Sequence, residues 1–147
     1  MFKKLLFSIV ILFSVASVNA QFRKIPAEVT DAFKAKYATA SGVSWKDKIS
    51  AFQADFKIED KDLKATFSSK GEWLKTETKH SFEKVPLEVK DGFKKSKYAS
   101  LPVQEVMKIE AKDEVTQYRL TVKKNDFNKR YLIFSTEGQL VSDNTSL

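Results

Sequence analysis

The chain has 147 residues, with 26 Lys and Arg against 19 Asp and Glu, 42% hydrophobic residues and no Cys. That length allows one or two small domains, and the apolar content excludes intrinsic disorder. Without Cys there are no disulfides, zinc–thiolate sites or thiol nucleophiles, and a single His excludes His-rich metal sites and leaves one imidazole for any Ser-His-Asp triad.

Residues 1–20 read as an export signal. Lys3 and Lys4 give a positive start, Leu5 to Val18 is a run of fourteen residues without charge, and Val18-Asn19-Ala20 places small residues where a signal peptidase reads. As a helix the run reaches only about 21 Å, short of the roughly 30 Å hydrocarbon core, so a membrane anchor is disfavoured. Cleavage is expected after Ala20, leaving 127 residues with 24 basic and 19 acidic side chains, a net charge of +5. Export without Cys fits a bacterial periplasmic or secreted protein.

The first predicted helix starts at Pro26, where a missing N–H costs nothing, and Glu28 suits its positive end. Val29, Phe33 and Tyr37 fall four apart and share one face, with Lys34 and Lys36 outside it. The period then changes to two. Val43, Trp45 and Ile49 mark one face of a first strand over 43–49. Phe52, Ala54, Phe56 and Ile58 mark a second, and Leu63, Ala65 and Phe67 a third, after the polar turn Glu59-Asp60-Lys61-Asp62. Ser68-Ser69-Lys70-Gly71 turns the chain into a fourth strand over 73–78, and residues 79–84 form a connector.

The pattern then repeats. Ile25-Pro26-Ala27-Glu28-Val29-Thr30-Asp31-Ala32-Phe33-Lys34 is answered by Val85-Pro86-Leu87-Glu88-Val89-Lys90-Asp91-Gly92-Phe93-Lys94, and Tyr37 by Tyr98. Phe67-Ser68-Ser69-Lys70-Gly71 is answered by Phe134-Ser135-Thr136-Glu137-Gly138. The spacing grows from 60 residues at Pro26 and Pro86 to 67 at Gly71 and Gly138, so the second copy has longer loops. Two matches in the same order indicate internal duplication. Gly92 in place of Ala32 is expected to weaken the second helix by somewhat under about 1 kcal/mol. Strands are predicted over 103–110, 115–123, 131–135 and 139–142.

The expected fold class is therefore α+β: two repeats, 21–80 and 81–147, each one helix followed by a four-stranded antiparallel sheet, packed together. Units of about sixty residues are marginal alone, so the two sheets should share a core or join.

The opening Ile-Pro-x-x-Val-x-x-x-Phe-x-x-x-Tyr, then Val43-Ser44-Trp45-Lys46, then Phe67…Gly71-Glu72-Trp73-Leu74-Lys75-Thr76-Glu77, resembles the PepSY-like, beta-lactamase-inhibitor-like family of exported Bacteroidetes proteins. The second copy keeps the helix signature and Phe134…Gly138, with Val106 and Leu140 where the first has Trp45 and Trp73. The resemblance implies a duplicated α+β fold, a periplasmic location, and non-catalytic binding or inhibition, but no known ligand; a protein or peptide is the partner expected here. It carries over no contact residues.

The residues themselves offer little catalytic chemistry. There is no Gly-x-Ser-x-Gly, HExxH or phosphate-cradling glycine loop, and His80 lies at the end of a strand without a nucleophile in a recognisable pattern. No catalytic, cofactor or metal residues are assigned: Glu59, Asp60 and Asp62 lack the order of a calcium loop and read as a charged turn. Trp45 and Trp73 read as packing residues. Lys34, Lys36, Lys90, Lys94, Lys95 and Lys97 are interleaved with acids and read as a solvated helix face, with an anionic glycan or lipid of the envelope as the alternative partner and nucleic acid excluded by export.

One feature departs from its own repeat. The face opposite the core carries Lys64 and Thr66 in the first copy, but Tyr131 and Ile133 in the second. Beside it runs the basic loop Lys123-Lys124-Asn125-Asp126-Phe127-Asn128-Lys129-Arg130. Lys123, Lys124, Phe127, Arg130, Tyr131 and Ile133 are therefore the candidate partner-binding residues, since aromatic side chains beside Arg and Lys are typical of interfaces.

Overall fold

The computed structural model describes residues 23–125 and 128–145, without the side chain of Lys124; the expected export signal, Phe127 and the last two residues lie outside the described residues. Both helices begin just after a proline. α1 spans Ala27–Lys36 and α2 spans Leu87–Lys95, and Pro26 and Pro86 occupy their N-caps in extended conformation. The Pro26 carbonyl accepts the Val29 and Thr30 amides at 3.2 Å, and that of Pro86 accepts Lys90 at 3.1 Å. Only Val29 and Phe33 of α1 and Val89 and Phe93 of α2 are buried. This is the four-residue stripe expected from the sequence; each such side chain contributes roughly 2 kcal/mol by leaving water.

After α1 come β1 (Ser41–Lys48), β2 (Ala51–Ile58), β3 (Lys61–Ser68) and β4 (Trp73–His80). After α2 come β5 (Val103–Ala111), β6 (Thr116–Asn125), β7 (Asn128–Ser135) and β8 (Leu140–Thr145). All eight form one open antiparallel sheet in chain order. Of the two arrangements expected for the four-stranded units, a shared core or a joined sheet, the chain adopts the joined sheet, so they are not two separate sheets packed together. β4 and β5 pair from Lys75↔Ala111 to His80↔Val106, joining the halves edge to edge. The physical reason is that two inner edges left unpaired would bury open N–H and C=O groups. β4 also runs on to His80, so the connector lies two residues later than predicted, at 81–86, and holds a single helical turn at Phe82–Lys84. There His80 is half-buried, its ring 5.8 Å from that of Tyr118.

Register places both helices on the same face of the sheet. Ala65 pairs with Thr76, and His80, on the same side of β4, pairs with Val106. Phe33 meets Trp45, Phe56 and Phe67 with ring centroids 5.3, 4.9 and 6.2 Å away, and Phe93 meets Phe134 at 6.5 Å. α1 and its strands build one apolar cluster and α2 and its strands another. Trp45 belongs to the first as a packing residue. Ile49, expected on the β1 face, instead sits at the hairpin tip with φ 38° and is 95% exposed. The two-residue turn between β1 and β2 takes it out of the alternation.

Gly92 is not the weak point expected. A Cβ there would lie 2.0 Å from the Gly138 carbonyl oxygen, and one on Gly138 would lie 2.0 Å from that of Glu88. α2 and the β7–β8 turn approach so closely that neither position has room for a side chain.

Candidate functional site

Alternation sends every second strand residue to the face that carries no helix. Across β4 to β7 this face presents Lys75, Glu77 and Lys79, then Glu105, Met107 and Ile109, then Gln117, Arg119 and Thr121, then Tyr131 and Ile133. Cross-strand pairing sets Glu77 opposite Ile109, Met107 opposite Arg119, Arg119 opposite Ile133, and Thr121 opposite Tyr131. No helix covers Met107 and Ile109, yet they are only 3% and 5% exposed.

The same face is hollowed over the first five strands. A cavity of about 390 Å³ there touches Gly42 and Ser44 of β1, Asp55 and Lys57 of β2, Lys64 of β3, Lys79 of β4 and Met107 of β5. The helix-free face is thus concave where these strands share the cavity.

On the same face, across β4 and β6, lies a buried ion pair. Arg119 Nη1 donates to Glu77 Oε1 at 2.6 Å, and Lys75 Nζ lies 3.5 Å from Glu77 Oε2. The Glu77 residue is 5% exposed. The Arg119 guanidinium sits 5.7 Å from the Tyr131 ring centroid, a cation–π distance. Arg119 Nε and Thr121 Oγ1 are enclosed without a protein hydrogen-bond partner. Such unmet polar groups cost stability and are tolerated at surfaces kept for binding. Nothing in the sequence flagged Glu77, Arg119 or Thr121 as a site; the only signal was that they alternate with core-facing residues on β4 and β6.

The candidate residues chosen from sequence divide between the two faces. Tyr131 and Ile133 lie on the concave face, half-buried and adjacent through Arg119. Lys123 shares that side of β6, near their end of the strand, and pairs with Lys129. Arg130 points the other way, toward the helices, where its Nη1 donates to the Tyr98 hydroxyl at 3.1 Å and to Asp143. Period-two alternation between neighbours 130 and 131 forces this separation. The Lys124 side chain and Phe127 lie outside the described residues.

Arg130 belongs instead to a cluster that ties β8 to the end of α2. The Asp143 carboxylate accepts from the Tyr98 hydroxyl and from Arg130, with Lys97 Nζ 3.5 Å away. The Tyr98 hydrogen bond above all holds the Asp143 carboxyl below the ordinary aspartate range; burial opposes it, and the Arg130 charge and hydrogen bond add to the lowering. A carboxyl with a lowered folded value stabilises the fold above the ordinary aspartate range and loses that contribution as pH falls through the lowered value. We expect Asp143→Asn to flatten the fall in melting temperature below about pH 4, read by circular dichroism melts between pH 6 and pH 2.

Among the described residues no His, Asp and Glu side chains gather into a metal site, and no helix is long and apolar enough to cross a membrane.

A family model described as "Putative beta-lactamase-inhibitor-like, PepSY-like" matches residues 50–142, well over half of the chain. Solved structures share the fold. A BLIP-like protein from Bacteroides fragilis NCTC 9343 is 27% identical with TM-score 0.71, over 85% of this chain and 89% of that one. A DUF2874 family protein from Bacteroides uniformis ATCC 8492 is 28% identical with TM-score 0.74, over 82% and 88%. A chain described among "putative periplasmic proteins" of Bacteroides eggerthii DSM 20697 is 25% identical with TM-score 0.75, over 83% and 89%. No curated protein matches the sequence.

Proposed function

The chain belongs to the PepSY-like, beta-lactamase-inhibitor-like family, and on that premise we propose that it is a non-catalytic binding module of inhibitor type. It works in the periplasm after loss of residues 1–20 and holds a protein or peptide partner against the concave face of the sheet. The observation that carries this reading is the pairing of Tyr131 and Ile133, half-buried beside the Arg119 guanidinium on the sheet face that no helix covers. Fixed aromatic and aliphatic side chains next to an arginine supply apolar area and direction at little entropic cost. Full burial of both would contribute roughly 3–5 kcal/mol before the costs of association. The description of relatives as periplasmic and BLIP-like supports the location and the non-catalytic role.

The test compares wild type with Tyr131→Ser/Ile133→Ser as bait for crosslinked capture from the native periplasm at moderate salt. A partner held by wild type should be reduced at least about tenfold by the double variant, the loss of one apolar anchor being worth more than about 1.4 kcal/mol. Equal capture by both baits would remove the concave face from consideration. A second reading rests on the exposed lysines closing each helix, Lys34 and Lys36 in α1 and Lys94 and Lys95 in α2. Through these the protein would hold an anionic glycan or lipid. Salt separates the two: polyanion binding should collapse between low and moderate ionic strength, whereas apolar docking should persist.

A further inference from the structure

Each half of the molecule has a cavity where its helix ends, and matching positions build the two. In the second half, Lys97, Tyr98, Leu101, Asn128 and Arg130 surround about 420 Å³. In the first, Lys36, Tyr37, Leu63, Trp73 and Thr76 form one wall of about 550 Å³. Leu63 and Arg130 each stand two residues before the core residues Ala65 and Leu132. Thr76 and Asp143 are the cross-strand partners of those same two residues.

The second cavity is satisfied from within. The Arg130 guanidinium lies 5.5 Å from the Tyr98 ring centroid and donates to Asp143. A tyrosine face and a carboxylate thus hold a guanidinium. In the first cavity Leu63 stands where that cation would be and Thr76 where its acid would be. The rest of the frame persists: the Tyr37 hydroxyl and the Trp73 indole N–H both meet Thr76 Oγ1, the latter at 2.9 Å, which fixes the two rings. An acid is supplied instead across the β4–β5 joint. Glu110 is the register partner of Thr76, and Glu110 and Glu114 line the opposite wall with Val115. The Lys36 ammonium rests 4.1 Å from the Trp73 centroid, so a cation already favours this aromatic face.

We propose that the first cavity is a second binding site, on the helix-bearing side of the sheet, for one arginine side chain of a peptide or protein. The guanidinium stacks on Trp73 and Tyr37 and pairs with Glu110 and Glu114, as Arg130 does with Tyr98 and Asp143 inside the chain. Lys36 is exposed and swings aside. Lys108 contacts Glu110 Oε1 at 2.8 Å, and a planar guanidinium competes with a lysine for a carboxylate because it can donate two parallel hydrogen bonds. The site is independent of the concave face, so either stands if the other fails.

The test titrates N-acetyl-arginine amide into the protein at low salt, following the Trp73 indole N–H signal by NMR, with N-acetyl-citrulline amide as the uncharged isostere. Expected are a saturable shift with the arginine amide and at least about tenfold weaker binding of the citrulline amide. Glu110→Gln should weaken the arginine amide at least about fivefold, and Tyr131→Ser on the other face should leave it unchanged. Equal affinity for citrulline amide, unchanged affinity in Glu110→Gln, or no saturation would each overturn the proposal. Tighter binding of free arginine than of the capped form would overturn its assignment to a peptide.

Discussion

Alanine at Gly138 is expected to lower the melting temperature by about 10 °C, a loss of about 3 kcal/mol. Two causes combine. The residue has φ +80°, a conformation that costs L-residues about 1–2 kcal/mol. Its new Cβ would also stand 2.0 Å from the Glu88 carbonyl oxygen, and a helix backbone cannot give way as a side-chain end can. Gly92→Ala isolates the second cause. In an ordinary helix interior that change stabilises by somewhat under about 1 kcal/mol; here the Cβ meets the Gly138 carbonyl at 2.0 Å, and a loss of about 2 kcal/mol is expected instead. Gly42→Ala isolates the first, since φ is +61° but nothing lies within 4 Å, and should cost only about 1 kcal/mol. Thermal melts of the three variants settle the ranking. A stabilised Gly92→Ala would show that α2 and the β7–β8 turn do not meet as described.

The second large effect concerns the ion pair buried on the helix-free face. Arg119→Leu leaves the Glu77 carboxylate buried with only Lys75, whose Nζ is 3.5 Å away and whose side chain is partly solvated. Removing one partner of a buried pair costs about 3–5 kcal/mol; the remaining lysine puts the expected loss near the lower end, about 3 kcal/mol. Replacing both, Glu77→Leu with Arg119→Leu, should recover most of it, to within about 1 kcal/mol of wild type, because no charge is then stranded. Urea unfolding of the two single variants and the double variant measures the coupling. If the double variant instead lost the sum of the two single losses, the pair would be uncoupled and of little consequence. The double variant also bears on binding: a stable fold that no longer captures a partner would assign Glu77 and Arg119 to recognition.

How much was legible follows from which interactions are local. The helices could be read because Pro26, Val29 and Phe33, and Pro86, Val89 and Phe93, obey a 3.6-residue period within one turn or two. The strands could be read from alternation, and their ends were placed within a few residues. Ile49 misled because a hydrophobic residue at a turn tip looks, in sequence, like the end of its strand. Gly92 misled because its reason lies 46 positions away, at Gly138.

The candidate site divided in the same way. Alternation alone put Tyr131 and Ile133 on one face and, applied one residue earlier, would have put Arg130 on the other. The basic run encouraged grouping them regardless. Glu77 and Arg119 were out of reach, since each looked like a solvated charge until β4, β5 and β6 set them side by side.

What the sequence determined by itself was the order of two helices and eight strands and the faces each would bury. These rest on periodicity and turn chemistry, which act between near neighbours. Only the tertiary structure decided that β4 joins β5 into a single sheet, that its open face is hollowed, and that charges buried on that face pair across strands. Those outcomes depend on edge pairing and on burial, which arise only when segments far apart in the chain compete for the same space.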